Sequence, residues 1–115
     1  MKHQETPYWQ VAFQFSQALL NGQFPAAYSL LGSSICNQWN PSLLRHSYEN
    51  MIEYFQTPPN EIAVEIVDTQ LLANMPGSAW VYVSIIGDGD LEAVTLIIGN
   101  EDDKYLIQNI EWGRP

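Results

Sequence analysis

Residues 79–98 read as two β-strands joined at Gly87-Asp88-Gly89-Asp90, and the first of them is apolar on both faces. Trp80, Tyr82, Ser84 and Ile86 alternate with Val81, Val83 and Ile85. Successive strand side chains point to opposite sides, so a sheet with one face in water would show polar residues at every second position. Each face of this hairpin therefore needs a cover. Helices earlier in the chain can supply one. The other is left for a partner, a ligand or a return of the same sheet.

The first half of the chain reads as helical. Thr6-Pro7 is a helix start, with Thr6 as the N-cap and Pro7 at the first helical position, where a missing N–H costs nothing. The helix is expected to run to about residue 21. Tyr8, Ala12, Phe15 and Leu19 fall on one line and Trp9, Phe13, Ser16 and Leu20 on the next, with Gln10, Gln14, Gln17 and Asn21 opposite. That polar stripe consists of amides alone, which suits cover by another chain as well as solvent. Gly22 is placed to end this helix, and a short second helix is expected over 24–32. Asn40 then caps a third, expected to run from Pro41 to about 55, with Trp39 placed to staple onto Leu44. Leu44, Ser47, Tyr48, Met51, Ile52 and Phe55 form its inward stripe.

Thr57-Pro58-Pro59-Asn60 marks the change from a period of 3.6 to a period of 2. Four strands are expected after it: 61–71, the pair within 79–98, and 104–112, with turns at 74–77, 87–90 and 99–103. Three helices followed by four consecutive strands give an α+β fold, an antiparallel meander with the helices on one face. A strongly twisted sheet around a long first helix encloses a conical space, whose wide mouth is the expected pocket. At 115 residues, 46% of them hydrophobic, the chain is the size of a single domain, 1–115, and can bury a real core. Its one cysteine, Cys36, excludes an internal disulfide, and no Cys/His cluster has zinc-ligand spacing, so neither a metal nor a cofactor is expected. No cation or histidine adjoins Cys36 in sequence to activate the thiol.

The net charge of −9 is concentrated in the strand half. Up to Thr57 three carboxylates face Lys2 and Arg45. From Pro58 onward ten face only Lys104 and Arg114. Such a field repels nucleic acid and anionic lipid and favours a basic protein partner, although it also serves plain solubility. The N-terminal stretch is broken by Gln10, Gln14 and Gln17 and lacks the apolar core of a signal peptide, and no run reaches the ~18 apolar residues of a membrane span. A soluble, cytoplasmic protein is expected.

The element order resembles the nuclear transport factor 2-like superfamily, the cystatin-like cone that also hosts polyketide cyclases and ketosteroid isomerase. The local phrase that carries the likeness is Phe15-Ser16-Gln17-Ala18-Leu19-Leu20-Asn21-Gly22-Gln23-Phe24-Pro25-Ala26-Ala27-Tyr28. The resemblance implies a curved, cone-shaped sheet, a concave pocket and homodimerisation through the outer sheet face. Isomerase-type members need a general-base carboxylate and an oxyanion donor in the cone, and no such set carries over onto this sequence.

Asp68 is the one acid whose register, after Ile62, Val64 and Ile66, points it toward an apolar face, where desolvation would raise its pKa and make it a general base. A strand-end Asp, or a bulge between Val67 and Thr69 that turns it to solvent, is the plainer account. His46 shares a polar helix face with Glu49 and Glu53 and reads as a solvated surface histidine. Glu101-Asp102-Asp103 lacks the alternating spacing of a calcium loop and reads as a hairpin tip. Phe13, Tyr28, Tyr48, Asp68 and Trp112 are the candidate pocket lining, able to take a small apolar ligand. Trp80, Tyr82, Ser84, Thr95 and Ile97 are the candidate dimer face. A non-catalytic binding domain that homodimerises through this face is the leading reading. Its rivals are an acidic, immunity-type inhibitor of a basic protein and an isomerase, dehydratase or cyclase built on Asp68.

Overall fold

The computed structural model describes residues 6–68 and 78–113, and the side chains of Val67 and Asp68 lie outside that description. Among the described residues, α1 (Pro7–Leu20), α2 (Phe24–Tyr28) and α3 (Pro41–Met51) precede β1 (Glu61–Asp68), β2 (Ser78–Ile86), β3 (Leu91–Glu101) and β4 (Lys104–Trp112). The strands form one antiparallel sheet in the order β1-β2-β3-β4. The fold is α+β, with the helices laid against a four-stranded meander.

Both expected caps are in place. Thr6 Oγ1 accepts from the Trp9 N–H at 3.1 Å, and Asn40 Oδ1 accepts from the Leu43 N–H at 2.8 Å. Each satisfies one of the donors that a helix start leaves unpaired. Gly22 follows α1 at φ +71°, a conformation that favours glycine. The other helix ends fall short of the periodic reading. α2 stops at Tyr28 instead of continuing to residue 32, because Leu30 O and the Gly32 N–H turn outward to pair with Ile107 on β4. α3 stops at Met51 instead of about 55, because the chain beyond it is tied to the β2–β3 hairpin. The Tyr54 hydroxyl donates to Leu91 O at 2.6 Å, and the Gln56 N–H donates to Asp90 Oδ2 at 3.0 Å.

The third turn is also tighter than expected over 99–103. β3 continues to Glu101, and only Asp102 and Asp103 turn, at φ +52° and +68°. Two left-handed residues match the strand twist of a two-residue hairpin, and aspartate tolerates that region better than most side chains. The expected turn at 74–77 and the strand residues beyond Asp68 lie outside the described residues.

Helix α1 lies against all four strands and against α2, while α3 packs on α2 and β4. Val81, Val83 and Ile85 of β2, Val94, Leu96 and Ile98 of β3, and Ile107 of β4 are buried with Ala12, Phe15 and Leu19 of α1 and Leu44 of α3 in one core. The Val81-Val83-Ile85 face is therefore the floor beneath the helices. Trp39 is half-buried, packs on the core and has its ring beside that of Trp112, centroids 5.9 Å apart, so it joins the helix layer to the end of β4. Among the described residues no helix is long and apolar enough to cross a membrane.

Candidate functional site: the outer face of the sheet

The opposite face of the sheet has no helix on it among the described residues. Strand pairing sets its side chains in rows across the sheet. One row is Glu65, Tyr82, Thr95 and Glu111; the next brings Trp80, Ile97 and Asn109 together, with the backbone of Asp68 in register beside Trp80. Ala63, Ser84 and Ala93 form a third row, and Glu61, Ile86 and Leu91 a fourth. Trp80 is 37% exposed and Leu91 44%, whereas Ala93 and Thr95 are buried. Trp80, Thr95, Ile97, Asn109 and Glu111 line an open hollow of about 250 Å³ that is mostly apolar. The candidate dimer-face residues thus stand on one surface, and three of the five line this hollow.

Asn109 and Glu111 were not singled out from the sequence. The register of β4 is broken by a bulge, which pairs Ile97 with Asn109 and Ile98 with Ile107 and leaves Gln108 as the extra residue. The mark of it in sequence is the three-residue step from Ile107 to Ile110, both of which face the core. Gln108 serves a hydrogen-bonded chain at that end of the sheet. The Ser78 hydroxyl donates to Gln108 Oε1 at 2.9 Å, and Gln108 Nε2 donates to Glu101 Oε2 at 3.4 Å. The Ser33 hydroxyl and N–H donate to Glu101 Oε1 at 2.8 and 3.0 Å and hold the Glu101 carboxyl below its ordinary value.

The alternation that aligned Asp68 with Ile66 is interrupted as well. A bulge between Ile66 and Asp68 puts Asp68 opposite Trp80, and its side chain lies outside the described residues. Among the described residues the remaining candidate lining residues meet different partners. Phe13 stacks on Trp9 at 4.9 Å and borders a hollow between α1 and α2, with Gln14 and Gln17 of the amide stripe. Tyr28 donates its hydroxyl to Cys36 O at 2.9 Å. Tyr48 is buried beside Phe24, and burial pushes its phenol up to about 12. Trp112 borders a separate open hollow with Ser47, Asn50, Met51, Glu92 and Gly113, and its indole Nε1 is buried with no acceptor among the described residues.

His46 lies on an exposed helix face, its Nε2 3.1 Å from Asn50 Nδ2. Among the described residues no group of three His, Cys, Asp or Glu side chains could hold a metal ion, and no carboxylate is buried in the core. Compared with family models, with curated proteins and with solved structures, the chain matches none.

Proposed function

We propose that this protein is a non-catalytic binding domain whose working surface is the outer face of the sheet, where the hollow beside Trp80 accepts an apolar anchor from a protein partner. The observation that carries the reading is the contrast between two faces of the same strands: helices bury one, and the other keeps aromatic and aliphatic side chains in the open. An exposed aromatic beside a concave apolar patch, mixed with hydroxyl and amide groups, suits a semi-polar interface better than a core. Membership of the nuclear transport factor 2-like superfamily, with its cone-shaped, cystatin-like curvature, belongs to the same reading. The element order and the contact of α1 with all four strands support it. Its isomerase-type members need a general-base carboxylate in the cone, and the described carboxylates of this chain stand outside the core.

Titration with N-acetyl-tryptophanamide, a surrogate for an aromatic anchor, tests the reading by amide and indole NMR. The resonances of Trp80, Thr95, Ile97 and Asn109 should move first and saturate together. Shifts confined to the hollow beside Trp112, or none on the outer face, would refute it.

A further inference from the structure

The row Glu65–Tyr82–Thr95–Glu111 crosses all four strands with a carboxylate at each end. Strands lie about 4.8 Å apart, so the backbone positions of the two glutamates are separated by roughly 14 Å, with Glu111 in the lining of the hollow and Glu65 beyond Tyr82 at the other end of the row. Glu61 stands on the same edge as Glu65. All three glutamates are exposed, and no cation among the described residues pairs with them. The tips of the two hairpins add Asp88 and Asp90 at one end and Asp102 and Asp103 at the other. Lys104 is the only described cation of the sheet, and it is in register with Glu101 at the far end of β3. The apolar hollow thus has Glu111 in its lining, with further carboxylates on the β1 edge and at both hairpin ends of the sheet.

A second copy of the chain matches this border poorly. A two-fold axis along the strands lays β1 over β4, and one across them lays β1 over β1, so carboxylates face carboxylates in both arrangements. An oblique axis lays these edges over the acidic hairpin tips. A partner of opposite charge meets no such conflict.

We infer that the outer face is built for a cationic protein partner, one that sets an apolar anchor in the hollow between two basic side chains reaching Glu65 and Glu111. The inference rests on the outer face being the working surface. In an extended segment residues i, i+2 and i+4 share a side, and i to i+4 spans about 13 Å, which matches the spacing of the backbone positions of the two glutamates.

Two blocked pentapeptides, Lys-Ser-Trp-Ser-Lys and Gln-Ser-Trp-Ser-Gln, separate the inference from the reading beneath it when titrated into the full chain by NMR. The cationic peptide should shift Trp80, Thr95, Ile97, Asn109 and Glu111 and bind about three- to tenfold more tightly at low salt, with the margin shrinking as salt rises. The margin should vanish in Glu65→Gln/Glu111→Gln and persist in Glu49→Gln/Glu53→Gln, which removes equal charge from α3 and the turn that follows it. Equal binding of the two peptides on this face overturns the inference and leaves the surface reading intact. Failure of both peptides to reach the face of the folded protein overturns both. A cationic advantage that survives Glu65→Gln/Glu111→Gln, or shifts that gather on α3 or the hairpin tips, reduces the effect to general charge attraction and overturns the inference. Dimerisation that covers Trp80 makes a second copy the occupant and overturns it as well.

Discussion

The two faces of the sheet are made from the same strands, and alternate residues along β3 have opposite fates. Val94, Leu96 and Ile98 are fully buried against the helices, while Ile97, between two of them, borders an open hollow. Burial of apolar area is the main favourable term in folding, so the helix-covered face supplies most of what the sheet contributes to stability. The outer face can carry exposed aromatics and unpaired carboxylates because little of the fold depends on it. A surface free of structural duty is free to specialise in recognition.

The comparison breaks most readily in β3 itself. Leu96→Ala should cost about 3 kcal/mol in urea unfolding and Ile97→Ala less than about 1.5, because only the first leaves a cavity in a closed core. Equal costs would mean that the outer face is also covered.

A second contrast is electrical. Buried Tyr48, on the helix side, has its phenol raised from 10 to about 12. The unfolded chain sheds this proton first, so stability present below pH 10 should decline as pH rises toward 12. Tyr48→Phe should remove that part of the alkaline slope, as read by unfolding at successive pH values. A variant with the same slope as the parent would show the phenol to be open to water.

Removing the cap of the helix that covers the floor should cost less. Thr6→Ala is expected to lower stability by about 1 kcal/mol through loss of the bond to the Trp9 N–H, with no change in outer-face shifts. Coupled changes in Trp80 resonances would argue that the two faces are not independent.

The smallest effect belongs to Glu101, at the end of the outer face. Its carboxyl lies below the ordinary value of 4.5 because the Ser33 hydroxyl and N–H donate to it. The stability it contributes is present above that value and is lost as pH falls through the lowered one. Ser33→Ala should move the Glu101 titration back toward 4.5 in NMR, and an unmoved titration would assign the shift to the backbone donor alone.

Much of this was legible in the sequence. The caps at Thr6 and Asn40 were readable because each needs only one polar side chain ahead of a proline. The division of β2 into Val81-Val83-Ile85 and Trp80-Tyr82-Ser84 followed from period-two alternation. The helix stops at Tyr28 and Met51 were less accessible. Periodicity extends a helix as far as the apolar pattern runs, and here competing partners on β4 and at the β2–β3 hairpin end it sooner. Among the described residues Phe13, Tyr28, Tyr48 and Trp112 share aromatic character but meet different partners, since residue type says nothing about which neighbour a ring meets.

By itself the sequence determined the α+β class, the order of the elements, the covered face of the central hairpin and the excess of acid in the strand half. Those properties depend on local periodicity and composition, which a single chain displays along its length. Tertiary structure alone decided that Glu65 and Glu111, 46 residues apart, end one row across the sheet with Tyr82 and Thr95 between them. That row depends on strand register, and register here is set by bulges at Ile66/Asp68 and Ile97/Ile98. A bulge is a matter of which backbone groups meet across a ladder, and the meeting exists only once the strands have paired.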